Sequence, residues 1–454
     1  MNTILITRPD KQRLYSHLLQ NPNQENMAVT FCGINKSMQK LQLLVKDVLL
    51  LQNNDLVLHT RTGLELNKNV YRQILLKAEK QDLSIIIWHS HPFSNNAEFS
   101  SIDNSNDINQ GKFIKQSLPN IYYGNVVVAQ QDYKARLFNT GIENFVQISE
   151  VEIVGKPKLG NTSLDSSKFD RNYRAFGKQG QSIISSNKVA LVGCGGLGWQ
   201  IGQQLIALGV GEILLIDPDL IEKSNLNRLP AALNSKVGVP KARELSRILK
   251  RMNPNVEVRY RISSVLERRI QRELRKYNII IGAVDSENIR LELNNFSVKY
   301  HKCYLDAGSE IILENKKVKH AGGQITTYIP GITPCLCCNN LLNWRRISYE
   351  TLSENAKADE IKGGYIRGIS EPSASVVSIN GIVASALVNE FISITTKLKP
   401  SIPYLFFDLM NSEKLMFPIQ VERNPNCIVC GRDGLFGYGD IEKTVNRKKE
   451  FRIF

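Results

Sequence analysis

Three groups of side chains in this chain of 454 residues have types and spacings suited to chemistry. The first is His89-Ser90-His91-Pro92, which closes an apolar run, followed by Ser100-Ser101-Ile102-Asp103. Two histidines two apart at a strand end can face one metal ion, and an aspartate twelve residues later supplies a third ligand. Three protein ligands leave a fourth position for water, as catalytic zinc requires. The ion lowers the pKa of that water toward ~7, a neighbouring carboxylate takes its proton, and Ser100 is placed to hydrogen-bond a tetrahedral oxyanion. A single histidine would more often be a satisfied core residue. His17 and His59, which lack ligand-like neighbours, are read that way.

The second group begins with Gly193-Cys194-Gly195-Gly196-Leu197-Gly198, between an apolar strand and a helix. Gly193, Gly195, Gly196 and Gly198 permit a tight turn and close approach of backbone to phosphate, and the helix start offers free N–H groups. Alone, the pattern fits an NAD or FAD enzyme as well. Asp217, ending the next apolar run, suits ribose hydroxyls in either case. Asn225, Arg228 and Lys241 decide between the two. Two fixed cations have no use in a dehydrogenase but neutralise a triphosphate and a departing pyrophosphate in an adenylating enzyme. Asp285 follows the apolar run ending at Gly282, at the strand end where open α/β sheets bind ligands, and is suited to Mg2+.

The third group is cysteine. Cys335-Leu336-Cys337-Cys338 and Cys427-Ile428-Val429-Cys430 give two Cys-x-x-Cys pairs, and four thiolates match structural Zn2+. Cys335, Cys338, Cys427 and Cys430 are the expected ligands, with Cys337 ambiguous among its neighbours. A redox pair or plain buried thiols compete with this reading. Cys32, Cys194 and Cys303 sit in apolar surroundings as packing residues.

These groups need elements to hold them. Leu83–Trp88 and Tyr122–Ala129 read as buried strands. Beyond residues 154–168, a Gly-, Pro-, Asn- and Ser-rich stretch read as a linker, strands alternate with helices. Lys188–Val192, Glu212–Ile216 and Asn278–Gly282 are strands, and the regions 199–208 and 241–252 are helical. The expected class is α/β: an N-terminal α/β zinc-hydrolase domain over 1–153, a Rossmann-like domain with the cysteine site over 169–440, and a basic tail over 441–454. Hydrophobic residues at 42% and charged residues at 22% exclude a disordered or collagen-like chain. The N-terminus shows no secretory pattern. The most apolar stretch, Val376–Ile394, is broken by polar residues and suits a buried helix, so no membrane partner is expected. Eight cysteines, half of them in metal-like pairs, favour a reducing compartment, and the expected localisation is cytoplasmic. A net charge of +15 is spread along the chain and calls for no nucleic acid.

The first group resembles the JAMM (JAB/MPN+) motif of zinc isopeptidases, His-x-His-Pro followed by Ser-x-x-Asp. The spacer between Pro92 and Ser100 is seven residues, one longer than in the commonest eukaryotic members. The resemblance implies His89, His91 and Asp103 as zinc ligands and an upstream general-base glutamate, for which Glu25 is the best match. From about Phe169 to Gly431 the chain is similar to the MoeB/ThiF family, in the superfamily of ubiquitin-activating enzymes. That resemblance implies ATP with Asp217 on ribose, Asn225, Arg228 and Lys241 on the phosphates, and Asp285 on magnesium. Arg171 matches an arginine that reaches into a partner's ATP, which implies a homodimer. The family's cysteine pairs raise the zinc reading.

Thioester-forming members keep a cysteine after the first pair, yet residues 339–372 contain none. Activation is therefore expected to stop at the adenylate unless Cys337 or a remote cysteine serves. Together the resemblances imply a bifunctional enzyme that processes or deconjugates a ubiquitin-like protein and adenylates its C-terminal glycine, with a conjugating enzyme or sulfurtransferase as partner. The alternatives are a sulfur-carrier adenylyltransferase for cofactor or metabolite synthesis, adenylation of a peptide or small acid, and a scaffold with vestigial sites.

Overall fold

The computed structural model describes residues 1–37, 40–61, 63–156, 167–353, 355–357 and 374–442. Most of the expected linker and nearly all of the basic tail lie outside them. Two eight-stranded sheets organise the described residues. In the first, the spatial order is Glu150–Ile153, Asn2–Ile6, Leu41–Leu50, Met27–Lys36, Ser84–His91, Tyr123–Ala129, Tyr133–Asn139, Asn144–Gln147. The strand Ser84–His91 is buried along nearly all its length, as its run of isoleucines requires. It pairs antiparallel with Met27–Lys36 and parallel with Tyr123–Ala129. It extends three residues past the expected end at Trp88, so His89 and His91 stand on the strand itself, on one face, by the two-residue period of a pleat.

The second sheet runs Glu257–Arg261, Glu212–Ile216, Lys188–Val192, Ile279–Gly282, Cys303–Glu314, Lys317–Tyr328, Tyr404–Asp408, Met416–Pro418. Its first five strands are parallel and the remaining pairings antiparallel. The parallel strands are Ile-, Leu- and Val-rich because helices cover both faces. Helix Lys241–Met252 shows how the sequence arranges this: Ala242, Leu245, Ile248 and Leu249 are buried at helical spacing while Lys250 and Arg251 face water. Helix Val377–Thr396 is long and apolar enough to cross a membrane. Here it puts Ile379, Val383, Leu387 and Phe391 into the core of the second sheet.

The C-terminal segment joins the two sheets. After Cys430 it passes across the first sheet, where Gly439 bridges Ile34 and the Asp440 amide donates to the Ile34 carbonyl at 2.6 Å. At Gly439, φ is +59° and an added Cβ would stand 2.0 Å from the Ile34 oxygen, so only glycine fits. Arg432 pairs with buried Asp10, the His301 ring bonds the Val45 carbonyl at 2.9 Å, and Tyr438 packs in one cluster with Phe31 and Ile74. The segment read as the end of the second domain is thus also part of the first domain's core.

Candidate functional site

At the carboxyl ends of the parallel strands, Val192 leads into the glycine turn and the helix Gly196–Leu208. Gly193 has φ +92° and packs on the Ala283 carbonyl, and a Cβ on Gly198 would lie 1.9 Å from the Gly193 oxygen. A Cβ on Gly195 would meet nothing within 4 Å. The turn therefore closes on the protein through two glycines and leaves open space over a third, a cradle that fits a phosphate chain.

Asp217 is buried beneath this turn and accepts from the amides of Cys194 at 2.6 Å and Asp219 at 2.8 Å. Burial pushes its carboxyl up, opposed by those two amides. The sequence reading gave Asp217 to ribose alone; the structure adds that it holds the turn in shape, each oxygen keeping a lone pair for a further donor. Arg228 ends a 3-10 turn, and its side chain lies across Gly196, with Nη1 held by the Ser224 carbonyl at 2.8 Å. Lys241 opens its helix and pairs with Asp219 at 2.9 Å. Asn225 is buried and its Oδ1 accepts from the Glu222 amide at 3.2 Å. Asp285 is exposed just past strand Ile279–Gly282, and Arg171 is exposed in the first turn of helix Asp170–Ser186.

Two participants escaped the sequence reading. Asn380, one of the polar residues interrupting the apolar helix, reaches the start of Gly196–Leu208, with Oδ1 accepting from the Ser309 hydroxyl at 2.7 Å. Its polarity within an apolar run was the available signal. Arg290, buried, grips Asp306 through Nε and Nη2, and Tyr304 donates to the same carboxylate at 2.7 Å. Asp306 stands beside Gly282 in the sheet register, and Gly282 is three residues before Asp285 in the chain.

A second cluster lies in the first sheet. Ligand atoms of His89, His91 and Asp103 are mutually within 4.8 Å, with His89 Nε2 at 3.7 Å from Asp103 Oδ2. His89 Nε2 is buried and has no hydrogen-bond partner among the described residues, an orphaned donor set that fits zinc. Glu25 Oε1 is 3.4 Å from His91 Nε2, and burial raises its carboxyl to about 7. Despite burial, Asp103 is held below the usual carboxylate range by His89 and Ser100. Ser100 caps the helix Ser101–Ser117, accepting from the Asp103 amide at 3.1 Å while Asp103 accepts from the Ser100 amide at 2.7 Å. This reciprocal cap was not foreseen in the serine's expected oxyanion role. His59, set aside as structural, bonds the Glu25 carbonyl at 2.7 Å and so positions the glutamate.

The four expected cysteines also converge. Sγ–Sγ distances are 3.9 Å for Cys335–Cys338, 3.8 Å for Cys335–Cys427 and 3.3 Å for Cys338–Cys430. Sulfurs bound tetrahedrally at ~2.3 Å from zinc stand about 3.8 Å apart, so the cage fits the ion. Cys337 is outside it, meeting Asn294 at 3.7 Å. Burial pushes the Cys32 and Cys303 thiols up to about 12, as packing residues require.

A glycine turn at the carboxyl ends of a parallel sheet, crossed by Arg228 and braced by buried Asp217, defines an α/β nucleotide-binding domain. The chain belongs to the ThiF family, which matches residues 169–429. The SAMP-activating enzyme E1 of Haloferax volcanii is 27% identical over 285 residues, 62% of this chain and 95% of that protein. The adenylyltransferase and sulfurtransferase MOCS3 of Danio rerio is 33% identical over 184 residues, 39% of this chain and only 38% of that protein. Among solved structures, E. coli MccB with MccA-N7isoASN aligns at a TM-score of 0.47 and 23% identity, over 60% of this chain and 75% of that one.

Proposed function

We propose that this chain is an ATP-dependent adenylyltransferase that activates the C-terminal carboxylate of a ubiquitin-like or sulfur-carrier protein. One observation carries the reading: at the carboxyl ends of the parallel strands the glycine turn leaves open space over Gly195, Arg228 lies across Gly196, and Asp217 beneath the turn binds the amide of Asp219, the partner of Lys241, while Asp285 follows the strand Ile279–Gly282. ATP, when bound with magnesium, supplies the electrophilic α-phosphoryl group. Amides of the glycine turn receive the phosphates, Arg228 and Lys241 offset the charge of the pyrophosphate, and Asp285 holds the metal. Lys241 must exchange Asp219 for phosphate as the nucleotide enters. The exposed position of Arg171 suits a second copy completing the site in a homodimer.

The relatives' names, an activating enzyme for SAMP and an adenylyltransferase and sulfurtransferase, support a protein carboxylate as substrate. Residues 339–372 hold no cysteine, which favours passing the adenylate to a thiol on another protein, as sulfur transfer needs. A second reading is favoured by the orphaned His89 Nε2: the N-terminal unit is a JAMM-type zinc hydrolase that trims or releases the same carboxyl terminus. His89, His91 and Asp103 would hold a zinc ion, which would supply an activated water, and Glu25 is placed to accept a proton beside it.

The two activities separate by mutation. Asp285→Ala is expected to abolish substrate-dependent ATP–pyrophosphate exchange while cleavage of a carboxyl-extended ubiquitin-like protein continues. Glu25→Ala and His91→Ala should lose cleavage and keep exchange. Unchanged exchange in Asp285→Ala removes the adenylation reading, and unchanged cleavage in both of the others removes the hydrolase.

A further inference from the structure

A cleft of about 660 Å³ lies between the two sheets, at the amino ends of the parallel strands. Lys188 opens one strand, and Asn278 and Lys302 directly precede two others. The glycine turn is at the opposite ends of those strands, about 16 Å away at ~3.3 Å per residue, so the cleft is a separate place.

Its wall is rich in cations. Three are already offset: Lys40 by Glu152 at 3.3 Å, Lys188 by Glu212 at 2.7 Å, and Arg275 by Asp440 at 2.7 Å. Lys156, Arg272, Lys276 and Lys302 line the cleft with no ion pair to a described carboxylate. Lys302 is buried, and its ammonium donates to the Arg275 carbonyl at 2.8 Å, which leaves two of its three N–H bonds without a described acceptor. Beside it, His301 is 3% exposed and its Nδ1 has no partner. The Glu152 carboxylate on the same wall offsets part of the Lys302 charge but is 3.3 Å from Lys40, so it is shared between the two. Burial lowers the Lys302 pKa to about 8. The same cavity has an apolar wall formed by Leu5, Ile183 and Ile279.

From this geometry we infer that the cleft binds a phosphorylated organic molecule of nucleotide size, its phosphates held by Lys302, Arg272 and Lys276 and its body lying on the apolar wall. The volume falls within the ~300–1,000 Å³ of small-molecule sites. Because the lining draws on both sheets, with Leu5, Lys40 and Glu152 from the first and Lys188, Ile279 and Cys303 from the second, such a ligand would touch both units.

The test is calorimetric titration of the full chain with inorganic tripolyphosphate, in an Arg228→Ala/Lys241→Ala background that disables the glycine-turn site. One binding event is expected. Adding Arg272→Glu/Lys276→Glu should weaken it at least tenfold, whereas Lys250→Glu/Arg251→Glu, the same charge change on an exposed helix end, should not. Arg272→Glu/Lys276→Glu alone should keep substrate-dependent ATP–pyrophosphate exchange, which reports the glycine-turn site, and the parent melting temperature. Absence of binding in the background, or equal weakening by both charge reversals, overturns the site. Citrate binding as tightly as tripolyphosphate overturns the phosphate class.

Discussion

Gly195 and Gly198 belong to one motif but answer to different forces. Gly198 has no room for a methyl group, since the Gly193 oxygen is 1.9 Å from where it would sit, whereas Gly195 faces open space and has φ −73°. Gly198→Ala is therefore expected to lower the melting temperature by the equivalent of about 1–3 kcal/mol of overpacking. Gly195→Ala should melt like the parent and lose ATP affinity instead. Thermal melts with and without nucleotide check this, and identical behaviour of the two variants would contradict it. Spacing in the sequence was enough to group side chains that the fold brings together: the four cysteines converge, His89, His91 and Asp103 converge, and Arg228 lies against the glycine turn. What stayed hidden were residues acting through others, such as His59 on the Glu25 carbonyl and Asn380 at the helix start, because hydrogen bonds across 34 residues or between helices leave no spacing pattern.

Among elements, the helix Ser101–Ser117 ties folding to the cluster of His89, His91 and Asp103. Its cap uses the Ser100 hydroxyl and the Asp103 carboxylate reciprocally, so the same aspartate both starts a helix and faces His89. Ser100→Ala should cost about 1 kcal/mol of stability and weaken zinc retention in a chelator competition. Ser100→Thr, which keeps the capping oxygen, should restore both. Normal zinc retention in the alanine variant would mean that the cap does not position Asp103. Three of the five parallel strands, Lys188–Val192, Glu212–Ile216 and Ile279–Gly282, and the helices at 199–208 and 241–252 were readable because continuous apolar runs and 3.6-residue periodicity are local signals, whereas the polar Glu257–Arg261 carries no such run. The antiparallel extension from Cys303–Glu314 to Met416–Pro418 was not, since pairing across such separations is decided by tertiary contacts.

At the scale of the whole molecule, the two sheets share a titratable seam. Burial holds His301 at about 4, against about 6.5 for an unfolded histidine. Its folded pKa is the lower one, so below pH 6.5 the unfolded chain takes up a proton that the folded chain refuses. Stability is thus expected to fall between pH 6.5 and 4, by at most about 3 kcal/mol, and to be insensitive to this group above pH 6.5. His301→Gln, which keeps a donor for the Val45 carbonyl, should flatten that slope in melting curves from pH 7.5 to 4.5. An unaltered slope would place the acid sensitivity elsewhere.

The crossing of Gly439 over Ile34 also orders events in time. About 400 residues separate the two partners along the chain. At ~5–20 residues per second a ribosome takes roughly 20–80 s to cover that distance. The last strand of the N-terminal sheet, Glu150–Ile153, is made within that interval, so the complete sheet waits through the final ~285 residues, roughly 14–57 s, with its Phe31 and Ile74 neighbourhood uncovered by Tyr438. The unit translated first is thus completed last, and during synthesis it depends on chaperones or on its own marginal packing until the far end of the chain arrives.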